Sequence, residues 1–175
     1  MKRFLVSLRT SKGLRNSLQT RIITIEEANK IVVVASVSSQ AQLDWLTIFT
    51  NSLLKDNSGI QPIVFFSKHK LSIPAALTGI IRIDRVDFLW TGKLKTMKQQ
   101  ELPISASLLI NLTREDDPYA NYIVEPIESE LKIGVNMQNL SQTGRYDLVF
   151  STANWNSPEM LAKEISSYLR KLKGD

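Results

Sequence analysis

The chain has 175 residues, a length that fits one domain and is enough to bury a sizeable hydrophobic core without covalent crosslinks. Hydrophobic residues make up 43% of the chain, and cysteine is absent. The absence of cysteine excludes a disulfide framework, thiolate zinc sites, iron–sulfur clusters and cysteine nucleophiles. His69 is the only histidine, so one chain cannot build a histidine-rich metal site.

Membrane insertion and secretion are not indicated by the sequence. No apolar run reaches the roughly 18 residues that a membrane-spanning helix needs, so we expect no transmembrane segment. The opening from Met1 to Arg9 is charged, but its apolar stretch is too short for a secretory signal. We therefore expect a cytoplasmic protein.

Positive charge is concentrated at the N-terminus. Residues 1–21 carry six Lys and Arg residues and no Asp or Glu, whereas the rest of the chain carries sixteen basic and seventeen acidic residues. The formal net charge of +5 therefore describes this segment and not the globular part. A near-neutral globular part does not favour nucleic acid as its partner.

The apolar spacing in this basic segment predicts an amphipathic helix. We divide the chain into a basic N-terminal helix, residues 1–22, and a single α/β domain, residues 23–175. The helix, over residues 2–21, either binds an anionic partner such as lipid, RNA or an acidic protein, or docks on the domain with its charges in solvent. We favour docking, because isolated basic stretches usually belong to solvated surface.

The first part of the domain predicts a strand, a helix and a second strand. A nearly continuous β-branched run over residues 30–35 is typical of a parallel strand that is covered on both faces. A helix is predicted from Gln40 to Lys55, and Gly59 suits the left-handed cap that ends it. The second strand lies within residues 60–66. A crossover of this length predicts parallel strands and a right-handed connection.

The middle of the chain, residues 67–103, is the least regular part. Alternating apolar residues between Ile81 and Phe88 indicate one short, half-exposed strand.

The second half returns to regular patterns. Apolar strands are predicted over residues 107–112, 131–135 and 146–150, with a helix over 119–124. The closing helix is the clearest element, because Ser157 can cap it and its leucines recur at helical spacing.

These elements predict a three-layer, Rossmann-like α/β sandwich with a mostly parallel sheet of about five strands. The patterns leave the strand order open. The helix over residues 40–55 has a broader apolar face than contact with one sheet needs, because Trp45, Ile48 and Phe49 widen it. Either the N-terminal helix, a protein partner or a second copy of the chain is expected to cover this face.

Polar residues at the ends of the predicted strands are the first candidate site, because ligands of open α/β sheets bind beyond the carboxyl ends of the strands. Hydroxyl groups before a helix can bind a phosphate, but the same groups also cap helices and close turns. We favour capping, because no glycine accompanies them for a close phosphate approach. The candidate ligand-binding residues are Ser36, Ser38, Ser39, Asn111 and Thr113.

No catalytic residue, metal site or cofactor is predicted. The glycine-rich fingerprint of dinucleotide-binding sheets, the phosphate loop and the G-x-S-x-G motif are all absent. His69 is flanked by two lysines, which favours a surface residue over a general base. A Mg²⁺ site built from Asp84, Asp87, Asp116 and Asp117 is disfavoured, since the last two are explained by the start of a helix.

The most unusual loop in the sequence runs from Phe88 to Lys95 and combines aromatic rings, a glycine and two lysines. Trp90 and Lys93 are candidate ligand contacts, because a tryptophan can stack on a ring and a lysine can hold an anion. The alternative is a tryptophan buried at the edge of the sheet, a turn at Gly92 and solvated lysines. We favour the alternative, because large aromatic side chains are mostly buried.

Four segments occur in an order and spacing typical of one family: Trp90-Thr91-Gly92-Lys93, Leu108-Leu109-Ile110-Asn111-Leu112, Lys132-Ile133-Gly134-Val135 and Tyr146-Asp147-Leu148-Val149-Phe150. On these segments the chain resembles an uncharacterised domain family of Bacteroidota-type bacteria, whose members have about this length and a basic N-terminal helix. The resemblance covers nearly the whole chain. It implies a fold but no activity, because the family has none assigned.

Three functions follow as hypotheses, and the question of enzymatic activity stays open. We rank first a non-catalytic domain that binds a partner through the broad helix face, the basic helix or both, because ionisable residues do not converge. The second is an enzyme or binder of a small anionic or nucleotide-like ligand, with Ser38, Trp90 and Lys93 as contacts. The third attaches the basic helix to RNA or anionic lipid, by binding that weakens steeply with salt.

Overall fold

A computed structural model gives the architecture of most of the chain. It describes residues 21–55, 59–67, 70–113, 118–135, 146–150 and 157–174. The predicted basic helix over residues 2–21 therefore lies outside the described residues except for Arg21, and so do His69, Asp116 and Asp117.

Six strands form a single sheet. They are β1 (Ile31–Val37), β2 (Ile60–Phe66), β3 (Ile81–Asp84), β4 (Ser105–Asn111), β5 (Glu128–Val135) and β6 (Leu148–Phe150). Every neighbouring pair is parallel, in the spatial order β3-β2-β1-β4-β5-β6. The predicted α/β fold with a parallel sheet is confirmed.

The expected count of about five strands is one too few. The sixth strand is β3, the short, half-exposed strand indicated between Ile81 and Phe88; it ends at Asp84 and pairs with β2 at the edge of the sheet. Its four residues alternate between buried and half-buried positions. A strand so short gives a weak periodic signal, and its place at the sheet depends on pairing that the local sequence does not encode.

Four α-helices lie in the described part of the chain. They are α1 (Gln40–Leu54), α2 (Thr96–Glu101), α3 (Pro118–Val124) and α4 (Pro158–Lys173). One core packs the sheet against α1 and α4, on what we call the α1 face. The other core packs it against α3 and the residues that flank α2, on the α3 face.

The β1 sequence shows why both faces must be covered. Val33 and Ala35 are buried in the core on the α1 face, whereas Val32 and Val34 are buried in the core on the α3 face. Successive side chains of a strand point to opposite faces, so a continuous apolar run requires helices or loops on both sides.

The broad apolar face of α1 is covered largely by α4. Phe49 is fully buried, and the half-buried Trp45 stacks on it with 5.5 Å between ring centroids. Of the three residues that widen this face, Ile48 is the one with a large exposed fraction, 42%. The domain therefore already buries Phe49 and part of Trp45, two of the three residues that the N-terminal helix, a partner or a second copy was expected to cover.

The closing helix α4 has well-formed ends. Ser157 is its N-cap and accepts a hydrogen bond from the Met160 N–H at 3.3 Å, and Pro158 occupies the first turn. Gly174 ends the helix in the left-handed region, with a φ of 94°. Within the described part of the chain, no helix combines the length and apolar character needed to cross a membrane.

Two ion pairs fasten the segment before β1 to the end of α4. Arg170 pairs with Glu26, and Lys173 pairs with Glu27. Burial acts to raise the pKa of Glu26, but hydrogen bonds, chiefly from Arg170, outweigh it and hold that pKa below its ordinary value. The hydrogen bond from Lys173 likewise lowers the pKa of Glu27.

Candidate functional site

The first candidate site is set by a reversal in the strand order at the carboxyl end of β1. The strands β2 and β3 lie on one side of β1, and β4, β5 and β6 lie on the other. In sheets of this order, ligands bind in the crevice at the reversal. Register places Ser36 beside Phe65 of β2, and Asn111 of β4 beside Val34 of β1. We call this place the β1/β4 crevice.

The three predicted serine contacts lie at the end of β1 and the start of α1. Ser36 is half-buried within β1, which is longer than the predicted strand. The Ser38 N–H and hydroxyl donate to Gln42 Oε1 at 2.7 and 3.0 Å. Ser39 is the N-cap of α1, and its Oγ accepts from the Gln42 N–H at 3.3 Å. These contacts agree with the capping interpretation of Ser38 and Ser39.

Asn111 and Thr113 are brought together in one buried hydrogen-bonded cluster. The Thr113 N–H and hydroxyl donate to Asn111 Oδ1 at 3.0 and 2.7 Å. On its other side, Asn111 Nδ2 donates to the hydroxyl of Tyr146. The amide of Asn111 is therefore engaged by the protein at both of its polar atoms.

Tyr146 belongs to this cluster but is not among the predicted site residues. It is predicted as the first residue of a strand over 146–150, whereas β6 covers only Leu148–Phe150 and Tyr146 precedes it. A tyrosine beside a buried apolar run is the signal that points to such a role, because a buried phenolic hydroxyl usually finds a hydrogen-bond partner.

The second candidate site is a hairpin that precedes α2, residues 88–94, which we call the Trp90 hairpin. Phe88 and Leu94 pair as an antiparallel bridge. The Leu89 N–H donates to the Lys93 carbonyl at 2.7 Å, and the Gly92 N–H donates to the Leu89 carbonyl at 2.9 Å. Gly92 has a φ of 80°, the left-handed conformation expected at the end of a three-residue hairpin loop.

The base of the Trp90 hairpin is buried in the core on the α3 face. Phe88 and Leu94 are 9% and 3% exposed. The Phe88 ring meets Phe65 edge-on at 5.9 Å and Tyr119 at 4.7 Å between centroids. Because Phe65 is the register partner of Ser36, the base of the hairpin lies at the carboxyl end of the sheet.

The tip of the Trp90 hairpin lies in solvent. Trp90 is 97% exposed and Lys93 is exposed as well. The predicted turn at Gly92 and the solvated lysine are confirmed, but the expectation of a buried tryptophan is wrong. Phe88 already fills the core site at the base, and Trp90 occupies the first loop position beyond the last strand pair.

The predicted contacts lie on different elements of the fold. Ser38 and Ser39 lie at the start of α1, and Asn111 lies in the cluster with Thr113. Trp90 lies at the tip of the Trp90 hairpin and is 97% exposed, so it does not pack against these residues.

Metal chemistry has no support in the described residues, where no group of three or more His, Asp or Glu could hold an ion. Asp84 and Asp87 instead have structural contacts. The Asp84 carboxylate accepts from Arg82 Nε at 2.8 Å, and Asp87 Oδ2 accepts from the Asp84 N–H at 2.7 Å.

Comparison with known protein families gives one match that spans nearly the whole chain. Residues 2–172 match a family described as a family of unknown function (DUF6913). None of the curated proteins and none of the solved structures compared with the chain matches it. The family match confirms the resemblance to an uncharacterised family, while its Bacteroidota origin and its four motif segments stay predictions.

Proposed function

The chain belongs to the DUF6913 family of unknown function, and we propose that it is a non-catalytic binding protein that contacts its partner through the Trp90 hairpin. The observation that carries the proposal is the 97% exposure of Trp90 at the tip of an ordered hairpin. Tryptophan buries a large apolar area on contact, and it is among the residue types most enriched at binding hot spots.

Exposed apolar side chains are concentrated in the segment of the chain that contains this hairpin. Of the eight large hydrophobic side chains that are exposed in the described residues, five lie within residues 86–104, between β3 and β4. Concentrated exposed apolar surface marks interaction sites, whereas single exposed side chains are ordinary. The five residues are Val86, Leu89, Trp90, Met97 and Ile104.

The hairpin holds Trp90 in place, so binding would not have to order a flexible loop. Besides the two hydrogen bonds across the loop, the Lys95 N–H donates to the Asp87 carbonyl at 2.8 Å. Phe88 and Leu94 anchor both ends in the core. A preordered binding element loses less conformational entropy on association, which favours affinity.

The Trp45, Ile48 and Phe49 face of α1 supports binding less well than the hairpin. Phe49 is buried and Trp45 is half-buried against the protein's own core. The exposed part of Ile48 is a small contact area for a stable partner.

The proposal is tested by photo-crosslinking in the cells that produce the chain. A photoreactive phenylalanine derivative replaces Thr91 at the hairpin tip, or the exposed Lys163 on α4 as a matched control. We expect a discrete adduct, to a protein or to a lipid, from position 91 that Trp90→Ala abolishes, and none from position 163. Equal adducts from both positions, or no adduct from position 91, would overturn the proposal.

The strand order favours a second candidate function, which is binding or turnover of a small anionic or nucleotide-like ligand in the β1/β4 crevice. Ser36 is the contact to test, because Ser38, Ser39 and Asn111 already hydrogen-bond within the protein. Thermal unfolding with nucleotides and sugar phosphates provides the measurement. A midpoint raised by one of these compounds, and restored by Ser36→Ala, supports the function, while unchanged midpoints with all of them overturn it.

Three further features are part of the proposal. The protein is cytoplasmic and comes from a Bacteroidota-type bacterium. It consists of a basic N-terminal helix, residues 1–22, and a single α/β domain, residues 23–175. The basic segment 2–21 binds an anionic partner, because all six of its charged residues are basic.

A further inference from the structure

We propose that the partner of the Trp90 hairpin is an anionic lipid surface, an inference that rests on the hairpin being the binding element. The chemistry at the tip combines an exposed indole ring with exposed lysines. Such a combination matches the boundary between lipid headgroups and acyl chains, where indole rings accumulate and cations meet phosphates.

The charged residues of segment 88–98 are all basic, while Asp87 precedes the segment and Glu101 follows it. Residues 88–98 contain three lysines and no Asp or Glu. Lys93 and Lys95 are exposed on either side of the buried Leu94, and Lys98 pairs with Glu101 at 2.8 Å. Lysine can lay its apolar stem along a hydrophobic surface and keep its ammonium group among headgroup phosphates.

The apolar part of the surface extends beyond the indole ring. Leu89 precedes Trp90 in the hairpin and is also exposed. Met97, 80% exposed, lies in the first turn of α2 directly after the hairpin. Apolar side chains interspersed with lysines are the composition of protein segments that lie in a membrane interface.

A lipid surface fits these observations better than a protein partner. A protein would have to enclose Trp90 in a pocket and also pair the two lysines beside it, because burying an unpaired charge is costly. An anionic bilayer supplies phosphates and an apolar layer next to each other. Segment 1–21 carries six basic residues and no acidic ones, so it would be attracted to the same surface.

The first test is flotation of the full chain with vesicles of phosphatidylcholine, with and without phosphatidylglycerol. We expect binding to the anionic vesicles that weakens as salt is raised. Trp90→Ala should weaken the binding by roughly tenfold or more, since a large apolar side chain no longer enters the interface. Lys93→Ala and Lys95→Ala should each weaken it by about fivefold.

A matched control is available on the other side of the sheet. Met160 is an exposed apolar side chain of α4, which covers the α1 face. Met160→Ala should leave vesicle binding unchanged.

The second test separates the hairpin from the basic segment. In a Trp45→Phe, Trp155→Phe variant, Trp90 is the single tryptophan. We expect its emission to shift to the blue with anionic vesicles and not with phosphatidylcholine alone. Vesicle binding without this shift, or binding that Trp90→Ala leaves intact, would assign the contact to the basic segment and overturn the inference.

The outcomes distinguish this inference from the proposed function. Absent vesicle binding together with a Trp90-dependent protein adduct from position 91 would overturn the lipid surface but keep the hairpin as the binding element. Absent vesicle binding with no adduct from position 91 would overturn both.

Discussion

Replacing Tyr146 with phenylalanine tests whether the buried polar cluster at the β1/β4 crevice holds the fold together. The change removes the hydroxyl that accepts a hydrogen bond from Asn111 Nδ2 and leaves that donor without this partner. Asn111 is fully buried and Tyr146 is 6% exposed, so water does not freely replace the lost acceptor. Leaving a buried donor unsatisfied costs about 1–3 kcal/mol, and we expect the free energy of unfolding to fall by about that amount.

Urea unfolding followed by circular dichroism measures this loss, and the melting temperature should fall by about 2–4 °C for each kcal/mol. Tyr168→Phe is the matched control, because it removes the same atom from a half-buried ring and should change stability by less than about 0.5 kcal/mol. A double-mutant cycle with Asn111→Ala should return a coupling of about 0.5–3 kcal/mol. Equal effects of the two tyrosine substitutions, or zero coupling, would refute the reasoning.

Three further substitutions have expected outcomes. Gly92→Ala should lower the free energy of unfolding by about 1 kcal/mol through backbone strain alone, because φ is +80° and no atom of the described residues lies within 4 Å of the added Cβ; an unchanged stability in urea unfolding would contradict this. Ser129→Ala should raise the free energy of unfolding by about 1 kcal/mol, since the buried Ser129 hydroxyl has no hydrogen-bond partner among the described residues, whereas Ser105→Ala at an exposed site should be neutral; a loss at position 129 would refute this. The pKa of Glu26 is lower in the folded protein than its ordinary value of 4.5. The ion pair with Arg170 therefore stabilises the fold at pH values above 4.5, and this contribution is lost as the pH falls through the folded pKa. The stability difference between the native chain and Glu26→Gln should therefore shrink on acidification, and a difference independent of pH would contradict the ion pair.

The central strand and the closing helix could be predicted because their signals are local. The β-branched run of β1 requires cover on both faces wherever it is placed in a sheet. The capping serine, the proline and the helical spacing of α4 lie within one segment. The ends of the strands are predicted less accurately, because they depend on pairing with neighbouring strands. β1 extends through Ser36 to Val37 because these two residues pair with Phe65 and Phe66 of β2.

The candidate site was predicted only in part. Asn111 and Thr113 could be predicted because they lie at the end of an apolar strand, but the partner Tyr146 lies 35 residues away from Asn111, and no local pattern links the two. The exposure of Trp90 opposes the general tendency of tryptophan to be buried. It follows from the three-residue loop and from Phe88 occupying the core, which only the folded chain reveals.

The order of the Trp90 hairpin and the solvent exposure of the Trp90 ring can both be measured directly on the free protein. Hydrogen exchange reports the amides of Leu89, Gly92 and Lys95, and acrylamide quenching reports the indole ring in the variant with Trp90 as its single tryptophan. We predict that these amides are protected from exchange while the ring is quenched as readily as free indole. A shielded ring, or amides that exchange as fast as those of an unfolded chain, would contradict the account.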